Sequence, residues 1–232
     1  PTCFFLLVNE KNDYAVDLYD KDRKGYCRYA LDPGKPIPVF GATIIGKLRP
    51  FVEAFGHLRV KKTNLPLRGS RFSNTLEEGY SYANVRTAIL EGLNPRLVIN
   101  YSNSPQAHYG ERKLILPHKM YGFPYIDMDG EYGISNRDNY VILNRSKDDL
   151  EILRQFFSTK TALYLFEATR YRMKYLEKYA FELMPDIPRL PGLPSPITDD
   201  SIAEYFGFDA IDKRNIRALH RKAYTFNYDP TL

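Results

Sequence analysis

A chain of 232 residues with 44% hydrophobic and 26% charged residues has the composition of an ordinary globular protein, with enough length for one large domain or two small ones. No apolar run reaches the roughly 18–20 residues of a membrane span. Two cysteines, Cys3 and Cys27, form neither a disulfide framework nor a zinc site. A net charge of +5 and a pI near 9.0 admit a polyanionic partner without demanding one.

The opening segment, Thr2–Val8, is apolar but lacks a basic leader. It reads as a buried strand, not a signal peptide, and suggests a fragment or a processed product. A turn over 9–13 leads to a strand over 14–19, and a charged turn to a third at Tyr26–Leu31. Asp32–Pro38 is a proline-punctuated linker. Ile44, Ile45, Leu48, Val52 and Phe55 have helical spacing across 42–55, with Pro50 as a possible break. A short basic strand follows at Leu58–Thr63. Asn64–Gly92 lacks a period and reads as a long loop with at most one helical turn.

Strands are expected at Arg96–Tyr101 and Leu114–Pro117, then a polar hairpin over Gly130–Asp138 and a second apolar strand. Ser146, with Asp149 three residues on, caps a helix over Asp148–Phe157. A longer helix is expected from Thr159 to Leu183, with Ala162, Leu165, Phe166, Thr169, Met173, Leu176 and Ala180 on one stripe. Residues 185–196 form a proline-rich, extended arm. Thr198 or Asp199 opens a short helix that Gly207 stops, and Asp209 opens the last, to about Ala223. The expected fold is α+β, with a mixed or antiparallel sheet and a helical C-terminal part. Its segments are a hairpin (1–31), an α+β body (32–184), and the arm with its helices (185–232).

Four groups of side chains suit a charged, flat partner. Lys119 and Tyr121 lie in the loop Pro117–Pro124, where an ammonium can neutralise phosphate and a ring can stack on bases. A core-plugging loop explains the same residues. Asn136 and Arg137 are of the types that read adenine and guanine edges, unless Arg137 simply pairs with Asp138 or Asp129. Lys61, Lys62, Arg68, Arg71 and Arg86 interleave with short polar residues, as a phosphate-tracking surface or a mixed solvated one. Arg170, Lys174 and Lys178 share a helical face, either contacting a nucleic-acid backbone or merely solvated. Histidines 57, 108, 118 and 220 lack ligand spacing. Asp17, Asp20 and Asp22 suffice for a metal only if a partner adds ligands, and no glycine-rich nucleotide loop occurs. An enzyme acting through Asp127 and Asp129 is the least supported class.

Lys113–Leu143, with Phe156–Phe166 and Thr169–Ile187, resembles the C-terminal half of N6-adenine DNA methyltransferases, including restriction-modification enzymes with a TaqI-like specificity domain. The opening hairpin resembles the last hairpin of their catalytic domain. Their Asn-Pro-Pro-Tyr signature and glycine-rich cofactor loop do not occur here. The resemblance therefore implies a recognition region with no catalytic residue and no cofactor of its own. S-adenosylmethionine would belong to a methyltransferase catalytic domain in cis or in trans. Its partner would be double-stranded DNA, in the cytoplasm, or in the nucleus or a viral factory if the chain is viral. The expected interface is Arg68, Arg71, Lys119, Tyr121, Asn136 and Arg137, with Arg170 and Lys174 on phosphates, all converging on one face. The alternative is a structural or assembly protein, of viral or other origin, derived from such a module.

Overall fold

Strand β7 (Lys113–Pro117) is buried along its whole length, and the architecture follows from that. Leu114 and Leu116 enter one core while Ile115 enters another on the opposite side, as strand alternation requires. The computed structural model describes residues 11, 13–62, 66–91, 94–118, 124–170 and 176–219. In it β7 lies between β10 (Asn139–Leu143) and β8 (Tyr125–Asp127), and β3 (Lys61–Lys62) extends the sheet beyond β10, every pair antiparallel.

A second sheet runs in the order β4 (Phe72–Ser73), β6 (Asn94–Ser102), β5 (Tyr82–Glu91), β9 (Gly133–Ile134). Its pairs are antiparallel except β5–β9, which is parallel. Val85 and Ile134 from this sheet meet Ile115 and Val141 from the first, so a small apolar core joins the two sheets.

The other face of the first sheet carries the main core. Leu114, Leu116, Tyr140 and Ile142 pack there with α1 (Ala42–Phe55), α2 (Lys147–Phe157), α3 (Lys160–Ala168), α4 (Asp199–Tyr205) and α5 (Ala210–Arg217). A separate antiparallel hairpin, β1 (Ala15–Asp20) and β2 (Gly25–Ala30), docks through buried Tyr29 and the partly buried Val16, Leu18 and Cys27. The fold is α+β with antiparallel and mixed sheets. Among the described residues no helix is long and apolar enough to cross a membrane.

Several boundaries differ from the sequence expectation. Pro50 stays within α1. It and Gly46, four residues earlier, both face solvent, so water can satisfy the carbonyl that proline leaves without a donor. The loop expected over 64–92 contains β4 and the ten-residue β5. The helix expected over 159–183 stops at Ala168. There the Thr169 hydroxyl bonds back to Leu165 O at 3.1 Å, and Leu176 N–H already donates to His118 O at the end of β7 (2.8 Å). Lys178–Leu183 is a separate 3-10 helix. Gly130–Asp138 is not a two-stranded hairpin, because Gly133–Ile134 crosses to the second sheet. The proline-rich segment buries Ile187 and Leu190. The last helix ends at Arg217. The strand expected over 2–8 lies outside the described residues.

Candidate nucleic-acid interface

The register of β5 against β6 slips between Val85 and Thr87, leaving Arg86 as an extra residue with no partner. Such a bulge re-aims a side chain, and Arg86 is exposed. Its carbonyl is held from the adjoining turn. Asn136 Nδ2 donates to Arg86 O at 3.1 Å and Asn139 Nδ2 does so at 3.0 Å. Asn136 Oδ1 accepts from Asp138 N at 3.1 Å, closing a tight turn with exposed Arg137 at its tip. Asn136 is thus committed to holding the turn, and Arg137 is the residue of the pair left to face a partner.

The end of β7 locks the same turn from the other side. His118 N–H donates to Asp138 O at 2.6 Å. Lys62 Nζ lies 3.1 Å from His118 Nε2 and 5.0 Å from the centre of the Tyr140 ring. An ammonium has only donors, so a charged Lys62 requires His118 to accept at Nε2. Burial holds the Lys62 ammonium below the usual lysine range; Glu177 opposes that shift and Arg137 adds to it. Burial raises the Tyr140 phenol, whose hydroxyl donates to Leu176 O at 3.0 Å.

Arg68 and Arg71 stand on a separate loop fastened to the same sheet. Buried Gln106 accepts from Leu67 N–H (3.1 Å) and donates to Ser70 Oγ (2.7 Å), which frames the turn carrying Arg68. Arg71 N–H donates to Asn103 Oδ1 at 2.9 Å. Both side chains are exposed. Among the described residues, the guanidiniums of Arg68, Arg71, Arg86 and Arg137 have no salt bridge and no hydrogen bond. The internal pairs considered for Arg137, with Asp138 or Asp129, do not form. By contrast, Arg23, Arg28, Arg145, Arg154 and Arg217 all face carboxylates.

Arg170 is placed differently from its expected helical stripe. It lies beyond the end of α3, and its guanidinium pairs with buried Glu167 at 2.9 Å. Lys119, Tyr121 and Lys174 lie outside the described residues. The structure therefore joins Asn136 and Arg137 to Arg86 and Lys62, puts Arg68 and Arg71 on another loop of the same sheet, and ties Arg170 to the helical layer. The bulge that makes Arg86 prominent left no mark in the sequence, whereas the spacing of Asn136 and Asn139 is compatible with a side-chain-braced turn.

Of the carboxylates weighed for catalysis or metal binding, Asp127, Asp20, Asp22 and Asp17 are engaged elsewhere, while Asp129 is exposed with no partner among the described residues. Asp127 is buried against Lys113, with Nζ to Oδ2 at 2.5 Å. Asp20 accepts from Gly41 N–H (3.1 Å) and Asp22 from the Tyr164 hydroxyl (2.6 Å). Asp17 pairs with Arg28. No family model matches the chain, and no curated protein or solved structure matches it.

Proposed function

We propose that this chain binds double-stranded DNA through the second sheet and its attached turns, as the target-recognition region of an adenine-N6 DNA methyltransferase or restriction-modification protein. One observation carries the reading: the unpaired guanidiniums of Arg68, Arg71, Arg86 and Arg137 all belong to that sheet or to turns fastened to it. Guanidinium is weakly hydrated, permanently charged and shaped to fork onto phosphate or onto the edge of guanine. Four such groups without counter-ions suit a polyanion. In the finer reading, base flipping and methyl transfer belong to a catalytic domain in cis or in trans, which also holds S-adenosylmethionine. The proposed compartment is the cytoplasm, or the nucleus or a viral factory for a viral protein.

Salt dependence tests the proposal. Phosphate contacts by Arg68, Arg71 and Arg86 give a slope of log K against log salt of about −3, at about 0.9 per contact. In a fluorescence-anisotropy titration of a labelled duplex, R86A/R137A should bind at least about tenfold more weakly and flatten the slope by about 1, the share of Arg86. Arg137→Ala alone should also blur discrimination between duplex sequences, by about 1–3 kcal/mol for a lost base contact. Unchanged affinity and slope in R86A/R137A would refute the assignment.

Assembly through protein contacts is the second reading. The β1–β2 hairpin favours it, because Tyr14, Tyr19 and Tyr26 are 69%, 56% and 78% exposed. Large exposed rings suit a protein interface. Association through them would be nearly indifferent to salt.

A further inference from the structure

A second cationic feature lies at the other end of β10. There the chain leaving α1 and the chain leaving the Lys178–Leu183 helix run side by side. Leu58 N–H donates to Met184 O (2.9 Å) and Asp186 N–H to Gly56 O (2.9 Å). Beside them opens a cleft of about 160 Å³, several times the ~30 Å³ share of one water. Its walls are Phe55, Gly56 and His57 together with Arg59, Arg145, Asp186 and Arg189.

The charges in this cleft do not balance. Among the described residues lining it, Asp186, 4% exposed, is the only carboxylate. Arg145 donates to both Asp186 oxygens from one nitrogen, Nη2, at 2.8 and 2.6 Å. Its Nε and Nη1 have no partner among the described residues. Arg189 touches the same carboxylate only through Nε, at 3.2 Å, and is otherwise 67% exposed. Arg59 has no partner among the described residues. The C-terminus of α1 contributes roughly half a negative charge. Three guanidiniums thus face one carboxylate and a partial charge. Asp186 already satisfies Arg145, so neither Arg59 nor Arg189 is needed to neutralise it.

We propose that this cleft is an anion site for a phosphoryl group. Arg145 is its fixed, half-buried donor, and Arg59 and Arg189 close over the anion from the rim. Asp186 holds Arg145 through Nη2 alone, which leaves Nε and Nη1 for the anion. The site is separate from the DNA surface. Along β10 its two ends, Asn139 and Leu143, lie four residues apart, roughly 13 Å at strand rise, and Arg145 lies beyond Leu143.

The test uses the full chain and inorganic phosphate. Calorimetric titration should show phosphate binding, and melting should rise in phosphate relative to chloride at equal ionic strength. R59Q/R189Q keeps the Arg145–Asp186 pair and hence the fold. It should bind phosphate about 100-fold more weakly, about tenfold per guanidinium, the scale of one charge-assisted hydrogen bond. R86A/R137A should bind phosphate normally, so failure here is distinguishable from failure of the DNA reading. Displacement of phosphate by a short duplex would identify a backbone phosphate as the occupant. Retention would identify a small phosphorylated molecule; either result supports the site. Phosphate acting no differently from chloride, or equally well on R59Q/R189Q, overturns it.

Discussion

Asp127→Asn should destabilise the protein by about 3–5 kcal/mol, the scale of breaking a buried ion pair by removing one charge. Lys113 is 0% exposed and Asp127 2%. All three protons of the ammonium are used: Nζ donates to His108 O and Glu111 O, each at 2.9 Å, and to Asp127 Oδ2 at 2.5 Å. Asp127 Oδ1 accepts from Glu131 N–H at 2.9 Å, and Oδ2 also accepts from Tyr132 N–H at 3.0 Å. An asparagine amide fits in neither orientation. One sets its NH2 against Glu131 N–H; the other sets it against both Tyr132 N–H and the ammonium. Urea unfolding should read the loss directly. The double variant K113M/D127N should be less destabilised than the sum of the singles, by about 1–3 kcal/mol. Additive losses would mean that the two side chains do not act as a pair.

The same contact bears on the proposed interface. Asp127 braces residues 131 and 132 immediately before β9, and β9 docks on β5 at Asn84 and Val85. The turn carrying Arg137 follows two residues later. The sheet junction, the buried pair and the exposed arginines are consecutive parts of one path. Asp127→Asn should therefore weaken DNA binding even at temperatures where the variant remains folded.

The parts of this fold that were legible in the sequence are those specified locally. Ser146 and Asp149 form a reciprocal cap at the start of α2, at 3.0 and 3.4 Å, and Asp209 caps α5 through Ile211 N–H and Asp212 N–H. Gly207 ends the preceding helix with a φ of +66°. Three residues of sequence suffice for each. The parts that were not legible depend on distant partners. Among the described side chains of β5, Asn84, Val85 and Ala88 are buried, and the bulge at Arg86 shifts the phase so that Val85 and Ala88, three residues apart, share a face. A strand with a displaced period reads as a loop. Of the stripe expected from Ala162 to Ala180, Met173 lies outside the described residues; the others are buried, but not on one helix. Every residue over 161–169 is buried, and Leu176 belongs beside His118. Of the candidate surface, Arg137 was legible as a glycine-flanked polar turn. Its neighbours Arg86 and Lys62 join it only through pairing across 50 residues or more.

Gly130→Ala should be the most damaging of the glycine substitutions around the interface, at about 3 kcal/mol or more. That figure combines about 1–2 kcal/mol for left-handed backbone with about 1–3 kcal/mol for overpacking. Gly130 has a φ of +72°, and a Cβ there would lie 2.5 Å from Gly110 C, 2.7 Å from Glu111 N and 2.8 Å from Gly110 Cα. All three atoms are backbone, so no rotamer change relieves them. The two segments are joined by Gly110 N–H donating to Gly130 O at 2.8 Å. Forcing them apart also moves Glu111, whose carbonyl is one of the Lys113 acceptors. Gly34→Ala is the control: its φ is +82° but its Cβ would meet nothing within 4 Å, so only the backbone term of about 1–2 kcal/mol applies. Urea midpoints should separate the two variants clearly. Amide exchange at Glu131 and Tyr132 should accelerate in Gly130→Ala and not in Gly34→Ala, because both amides are protected by the Asp127 carboxylate that this approach holds in place. Equal losses in the two variants would mean that residues 110 and 130 do not approach as closely as the hydrogen bond between them requires.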